Sequence, residues 1–90
     1  MNTFISLSSL AMDLDRVSIG LYRKSYKMAD RFAEEALLRE KEIDKTKVKP
    51  YIATLLGNLE KLLRSTDNLR KAEDLLMYSI LFQNAAIKIK

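Results

Sequence analysis

Three carboxylate pairs are this sequence's candidates for acid–base chemistry: Asp13/Asp15, Glu34/Glu35 and Glu73/Asp74. A general acid and a general base must converge on one substrate atom, but residues one or two apart on a helix point in different directions. Each pair therefore reads as part of a solvated face. The chain contains no histidine and no cysteine. Without imidazole or thiolate there is no Ser-His or Cys-His nucleophile, no His or Cys zinc ligand and no Glu-x-x-His di-iron helix. The sequence accordingly predicts no enzyme, no catalytic residue, no metal and no cofactor. Recognition chemistry is a different matter. Lys61 and Arg64 stand roughly one helical turn apart, where two cations can clamp a carboxylate or an acidic side chain.

Positioning such residues is a task for helices. Of 90 residues, 48% are apolar and 31% charged, which suits a single soluble domain with a modest core. Two glycines, one proline and an abundance of Leu, Ala, Lys, Glu and Arg make helix propensity high along the whole chain. The expected class is all-α, in one domain covering residues 1–90. The opening MNTFISLSSLAM is apolar but lacks the basic region of a signal peptide and runs into an amphipathic pattern. The apolar run LLMYSILF at 75–82 is far too short to span a bilayer. A cytoplasmic protein with no membrane association is the expectation.

Apolar residues recur at three- and four-residue spacing in four stretches. Leu7, Leu10, Ala11, Leu14, Val17 and Leu21 form the first stripe. Gly20 and the following Tyr22-Arg23-Lys24-Ser25 predict a break, with Ser25 capping the next helix. Met28, Ala29, Phe32, Ala33, Ala36 and Leu37 form the second, which fades into the charged REKEIDKTKVK. Pro50 suits the first turn of a third helix carrying Ile52, Leu55, Leu56, Leu59, Leu62 and Leu63. The tetrad Ser65-Thr66-Asp67-Asn68 favours a turn, and Leu69, Ala72, Leu75, Leu76, Ser79 and Ile80 begin the fourth stripe.

The second and fourth stripes share a frame: Tyr26, Ala29, Phe32, Ala36 and Leu37 align with Leu69, Ala72, Leu75, Ser79 and Ile80. The first and third do so as well, since Leu10, Ala11, Leu14, Val17 and Leu21 align with Ile52, Ala53, Leu56, Leu59 and Leu63. Two helix-turn-helix units of about 42 residues, near 6–44 and 48–88, describe the chain. On Ala53, Leu56, Asn58, Leu59, Leu63, Ala72, Glu73 and Leu75, and on Ala11, Leu14, Val17, Leu21, Tyr26, Ala29, Ala36 and Leu37, the sequence resembles the tetratricopeptide family, in particular its longer repeats. It departs from that pattern in lacking the large aromatic at the start of each unit. Ser18 and Glu60 also stand where the packing glycine is usual.

The resemblance implies four antiparallel helices and an adaptor whose groove, lined by the first helix of each unit, receives a peptide or amphipathic helix of another protein. By position, that groove falls on Met12, Asp15, Arg16, Ile19, Tyr22 and Arg23, and on Thr54, Gly57, Asn58, Lys61 and Arg64. Arg16, Tyr22, Arg23, Asn58, Lys61 and Arg64 are the expected partner-binding residues, with Asn58 holding a ligand amide. Two units leave their end faces uncovered, which calls for a homodimer or a capping partner. An alternative architecture folds two helices of about 40 residues at Pro50, as in hairpin chaperones and dimeric coiled-coil adaptors. A third reading, nucleic-acid binding, draws on the net charge of +4 and on Arg23, Lys24, Lys27, Arg31 and the KTKVK segment, although acidic residues interrupt nearly every basic stretch.

Overall fold

Helix boundaries follow local hydrogen-bonding chemistry. In the computed structural model, which describes residues 2–89, the Asn2 side chain accepts from the Ile5 N–H at 2.8 Å and opens α1 (Thr3–Tyr22). Helix α2 covers Tyr26–Glu42, a 3₁₀ turn follows at Lys45–Lys47, α3 covers Pro50–Leu63 and α4 covers Asn68–Ile89. Pro50 lies in the first turn of α3, where its missing N–H costs nothing. The Asp67 carboxylate accepts from the Arg70 N–H at 3.2 Å at the start of α4. Ser25 occupies the position before α2, but its side chain makes no capping bond. The described residues form an all-α fold with four α-helices.

The first break is displaced from the position the sequence suggests. Gly20 lies inside α1, and the helix ends two residues later, at Tyr22. There the Ser25 N–H donates to the Gly20 carbonyl at 2.8 Å and the Lys24 N–H to the Leu21 carbonyl at 3.2 Å. This is a Schellman closure, and it requires a left-handed residue, here Lys24 with φ 58°. Glycine at residue 20 serves packing instead. A β-carbon built there would lie 3.1 Å from the Ala29 backbone nitrogen and 3.2 Å from the Ala29 β-carbon. Two small residues thus let α1 and α2 approach closely.

Helix α1 is the centre of the fold, packed along α2 on one side and α4 on the other. Small residues set the α4 contact too. The Ser18 hydroxyl donates to the Ala72 carbonyl and the Ser79 hydroxyl to the Ala11 carbonyl, both at 2.8 Å and both buried. These two bonds fix α1 and α4 as antiparallel in a single register. Helix α3 packs on α4 and α2, and does not run side by side with α1. The core draws its largest side chains from α1, α3 and α4. Leu7, Leu10, Leu14, Val17, Ile52, Leu56, Leu59, Leu75 and Phe82 are all fully buried, each contributing about 1.5–3 kcal/mol of transfer free energy.

The radius of gyration is 12.1 Å and the longest extent 34 Å. A 40-residue helix would be about 60 Å long. The two-helix hairpin is therefore excluded: breaks at Arg23–Ser25 and at 64–67 divide each arm in two.

Candidate interaction face

The outer side of the α1/α4 pair, turned away from the core, carries two rows of exposed aliphatic residues. On α1, Ile5, Met12 and Ile19 recur every seven residues, which places them on one line along the helix. On α4, Leu69, Leu76, Ile80 and Ile87 form a second line. All seven are exposed, by 36% to 63%. The lines meet in a shallow groove bordered by Ala11, Met12 and Asp15 from α1 and by Ser79, Ile80, Gln83 and Asn84 from α4.

The α4 line exists because that helix has apolar residues on two adjacent faces and can bury only one. Buried against α1 and the core are Ala72, Leu75, Ser79, Phe82, Ala85 and Ala86. Close approach of the α1 backbone admits Ala and Ser at 72 and 79 but has no room for Leu76 or Ile80. These two, with Leu69, read in sequence as part of the core stripe, and the structure turns them outward. No signal in the sequence separates the faces, except that Ala72, Ser79 and Ala86 repeat at seven-residue spacing as a row of small residues.

The six residues expected to bind a partner are all exposed, and they divide into two groups. Arg16, Tyr22 and Arg23 belong to α1 or its end. Arg16 lies over the Phe32 ring of α2, 5.1 Å from the ring centroid, a cation–π contact that fixes its side chain. Asn58, Lys61 and Arg64 belong to α3 or its end, and Arg64 already pairs with Glu60 at 3.3 Å on the same helix. Because α1 and α3 are not side by side, the two groups do not converge on one groove. Met12, Asp15 and Ile19, expected along the same groove, do border an open surface, with α4 rather than α3 as its second wall.

The three carboxylate pairs lie on α1, α2 and α4. Asp13 is buried and accepts from Arg39 Nε of α2 at 2.8 Å, tying α1 to α2. Burial pushes its carboxyl above the ordinary value, and the Arg39 hydrogen bond and charge oppose that rise. Among the described residues no group of three or more acidic side chains is placed to hold a metal ion. The basic residues Arg23, Lys24, Lys27 and Arg31 are exposed around the α1/α2 turn with Asp30 among them, and Lys45 is paired with Glu40 at 2.8 Å. No helix among the described residues is long and apolar enough to cross a membrane. No family model, curated protein or solved structure matches this chain.

Proposed function

We propose that this chain is a non-enzymatic protein-interaction module, and that its α1/α4 outer face covers an apolar helical surface. The observation that carries this reading is the double line of exposed aliphatic residues, Ile5, Met12 and Ile19 beside Leu69, Leu76, Ile80 and Ile87. An isolated exposed Leu or Ile is ordinary, but seven in two adjacent rows form a patch of the kind that marks association sites. A groove between two antiparallel helices accepts a third helix that presents residues at i, i+3, i+4 and i+7. The resemblance of the two helix-turn-helix units to tetratricopeptide repeats supports the same class of activity, although the groove here is walled by α1 and α4 and not by the first helix of each unit.

The test is affinity capture with immobilised wild-type chain, Met12→Lys, Ile80→Lys and a Lys61→Glu/Arg64→Glu double variant, read by quantitative mass spectrometry. A bound species retained by the wild type and the α3 double variant, and lost from both α1/α4 variants, supports the reading. Retention by all four proteins, or loss only from the α3 variant, refutes it.

A further inference from the structure

The outer face has a two-fold pattern. On α1, Ile5 and Ile19 are each seven residues from Met12. On α4, Leu69 and Ile87 are equidistant from Tyr78, as are Leu76 and Ile80. Each row therefore reads alike in both directions as a pattern of aliphatic side chains. The midpoints also coincide in space. The antiparallel register set by Ser18 on Ala72 and Ser79 on Ala11 puts Met12 level with residue 78. One axis, lying in the plane of the face and perpendicular to the helices, passes through both midpoints.

From this coincidence we infer that the occupant of the face is a second copy of this chain, docked antiparallel about that axis. The inference rests on the reading of the α1/α4 face as an interaction surface. Rotation about the axis lays α1 on α1 and α4 on α4 of the second copy. Met12 meets Met12, Ile5 meets Ile19, Leu69 meets Ile87 and Leu76 meets Ile80, the reciprocal contacts of an isologous interface. Polar positions are matched by the same operation: Asp15 falls opposite Ser9 and Glu73 opposite Gln83, so no like charges face each other. A partner of unrelated sequence would place no demand for symmetry on either row. With exposures of 36% to 63%, the seven side chains leave on the order of 600 Å² per protomer. That reaches the top of the ~300–600 Å² range of a monomer's largest patch and approaches the ~800 Å² per partner of a standard interface.

Sedimentation equilibrium from micromolar to submillimolar concentration, combined with cysteine cross-linking, tests the arrangement. The chain has no cysteine of its own, so each introduced thiol is unique. The wild type and a Leu38→Lys control on α2 are expected at twice the 10.4 kDa chain mass, and Met12→Lys at the chain mass itself with unchanged helical circular dichroism. Because Met12 faces its own copy, mixing Met12→Lys with Met12→Glu restores the dimer. Met12→Cys cross-links to itself on oxidation, whereas Ile5→Cys and Ile19→Cys cross-link only when mixed. A chain that remains at 10.4 kDa throughout, or a dimer in which Met12→Cys fails to cross-link, overturns the inference. If the chain is monomeric, the interaction reading stands when capture still depends on Met12 and Ile80, and falls with the inference when capture does not.

Discussion

The two glycines offer a matched pair of substitutions that isolates the close approach of α1 and α2. Both lie in helix interiors, so replacing either by alanine removes the same unfolded-state freedom, about 0.5–1 kcal/mol in favour of folding. At Gly57 nothing lies within 4 Å of the added carbon. Gly57→Ala should therefore gain that full amount. At Gly20 the added carbon meets the Ala29 nitrogen at 3.1 Å, the β-carbon at 3.2 Å and the α-carbon at 3.3 Å. Carbon contacts are optimal at ~3.5–4.0 Å, so the overlap is several tenths of an ångström. Two of the three atoms are backbone, and the Ala29 N–H also bonds the Ser25 carbonyl in the first turn of α2. Relief requires α2 to move, and overpacking of this kind costs about 1–3 kcal/mol. Gly20→Ala should end about 0–2 kcal/mol less stable than wild type, and about 1–3 kcal/mol below Gly57→Ala. Urea unfolding at one fixed chain concentration, with equal m-values, measures the difference. Equal gains from both substitutions would refute the claim that Gly20 is selected by packing.

Lys24→Gly removes the cost of a left-handed non-glycine residue while keeping the Schellman closure, and should stabilise the fold by about 0.5–1 kcal/mol; a lower urea midpoint would count against this account. Arg39→Ala leaves the buried Asp13 carboxylate without its partner and should cost about 1–3 kcal/mol, whereas Asp13→Asn should cost far less because Arg39 is partly exposed and can turn to water. Asp13 has a folded-state pKa above its ordinary value of 3.8, so the native state holds its proton longer than the unfolded state does. Its contribution to stability is then largest below that ordinary value and falls as pH rises through the raised one. Asp13→Asn should flatten this part of the profile of urea midpoints against pH, and a steeper profile would contradict the sign. Ser18→Ala and Ser79→Ala each remove one buried hydrogen bond between α1 and α4 and should cost about 0.5–1.5 kcal/mol apiece, measured by the same unfolding assay.

Much of the helical layout is visible in the sequence because its signals are local. Pro50 and the Ser65–Asn68 tetrad act over one or two turns and mark true boundaries, and the first stripe and Ile52, Leu56, Leu59 and Leu63 of the third mark true core positions. Gly20 misleads for a tertiary reason: its missing side chain makes room for a residue nine positions later and does not end the helix. The α4 face misleads similarly. Leu76 is more apolar than Ser79, yet Ser79 is the buried one because the neighbouring helix is too near for a larger side chain. For the candidate site, Met12, Arg16, Ile19 and Tyr22 are legible as exposed α1 positions from the first stripe alone. The second wall is not, since which helix lies beside α1 depends on small residues 54 and 68 positions away along the chain.

Those separations also bear on how the molecule assembles. Bonding Ser18 to Ala72 and Ser79 to Ala11 closes loops several times longer than the turns joining successive helices, and each doubling of loop length adds about 0.6 kcal/mol of closure entropy. The local hairpins α1/α2 and α3/α4 can form early, while the first and last helices must find each other across nearly the whole chain. On the ribosome α1 emerges first and waits, one flank bare, for its most extensive neighbour to be synthesised. Loop closure therefore favours late locking of the seam between them. Serine-to-alanine changes along it should accelerate unfolding and leave the folding rate nearly untouched.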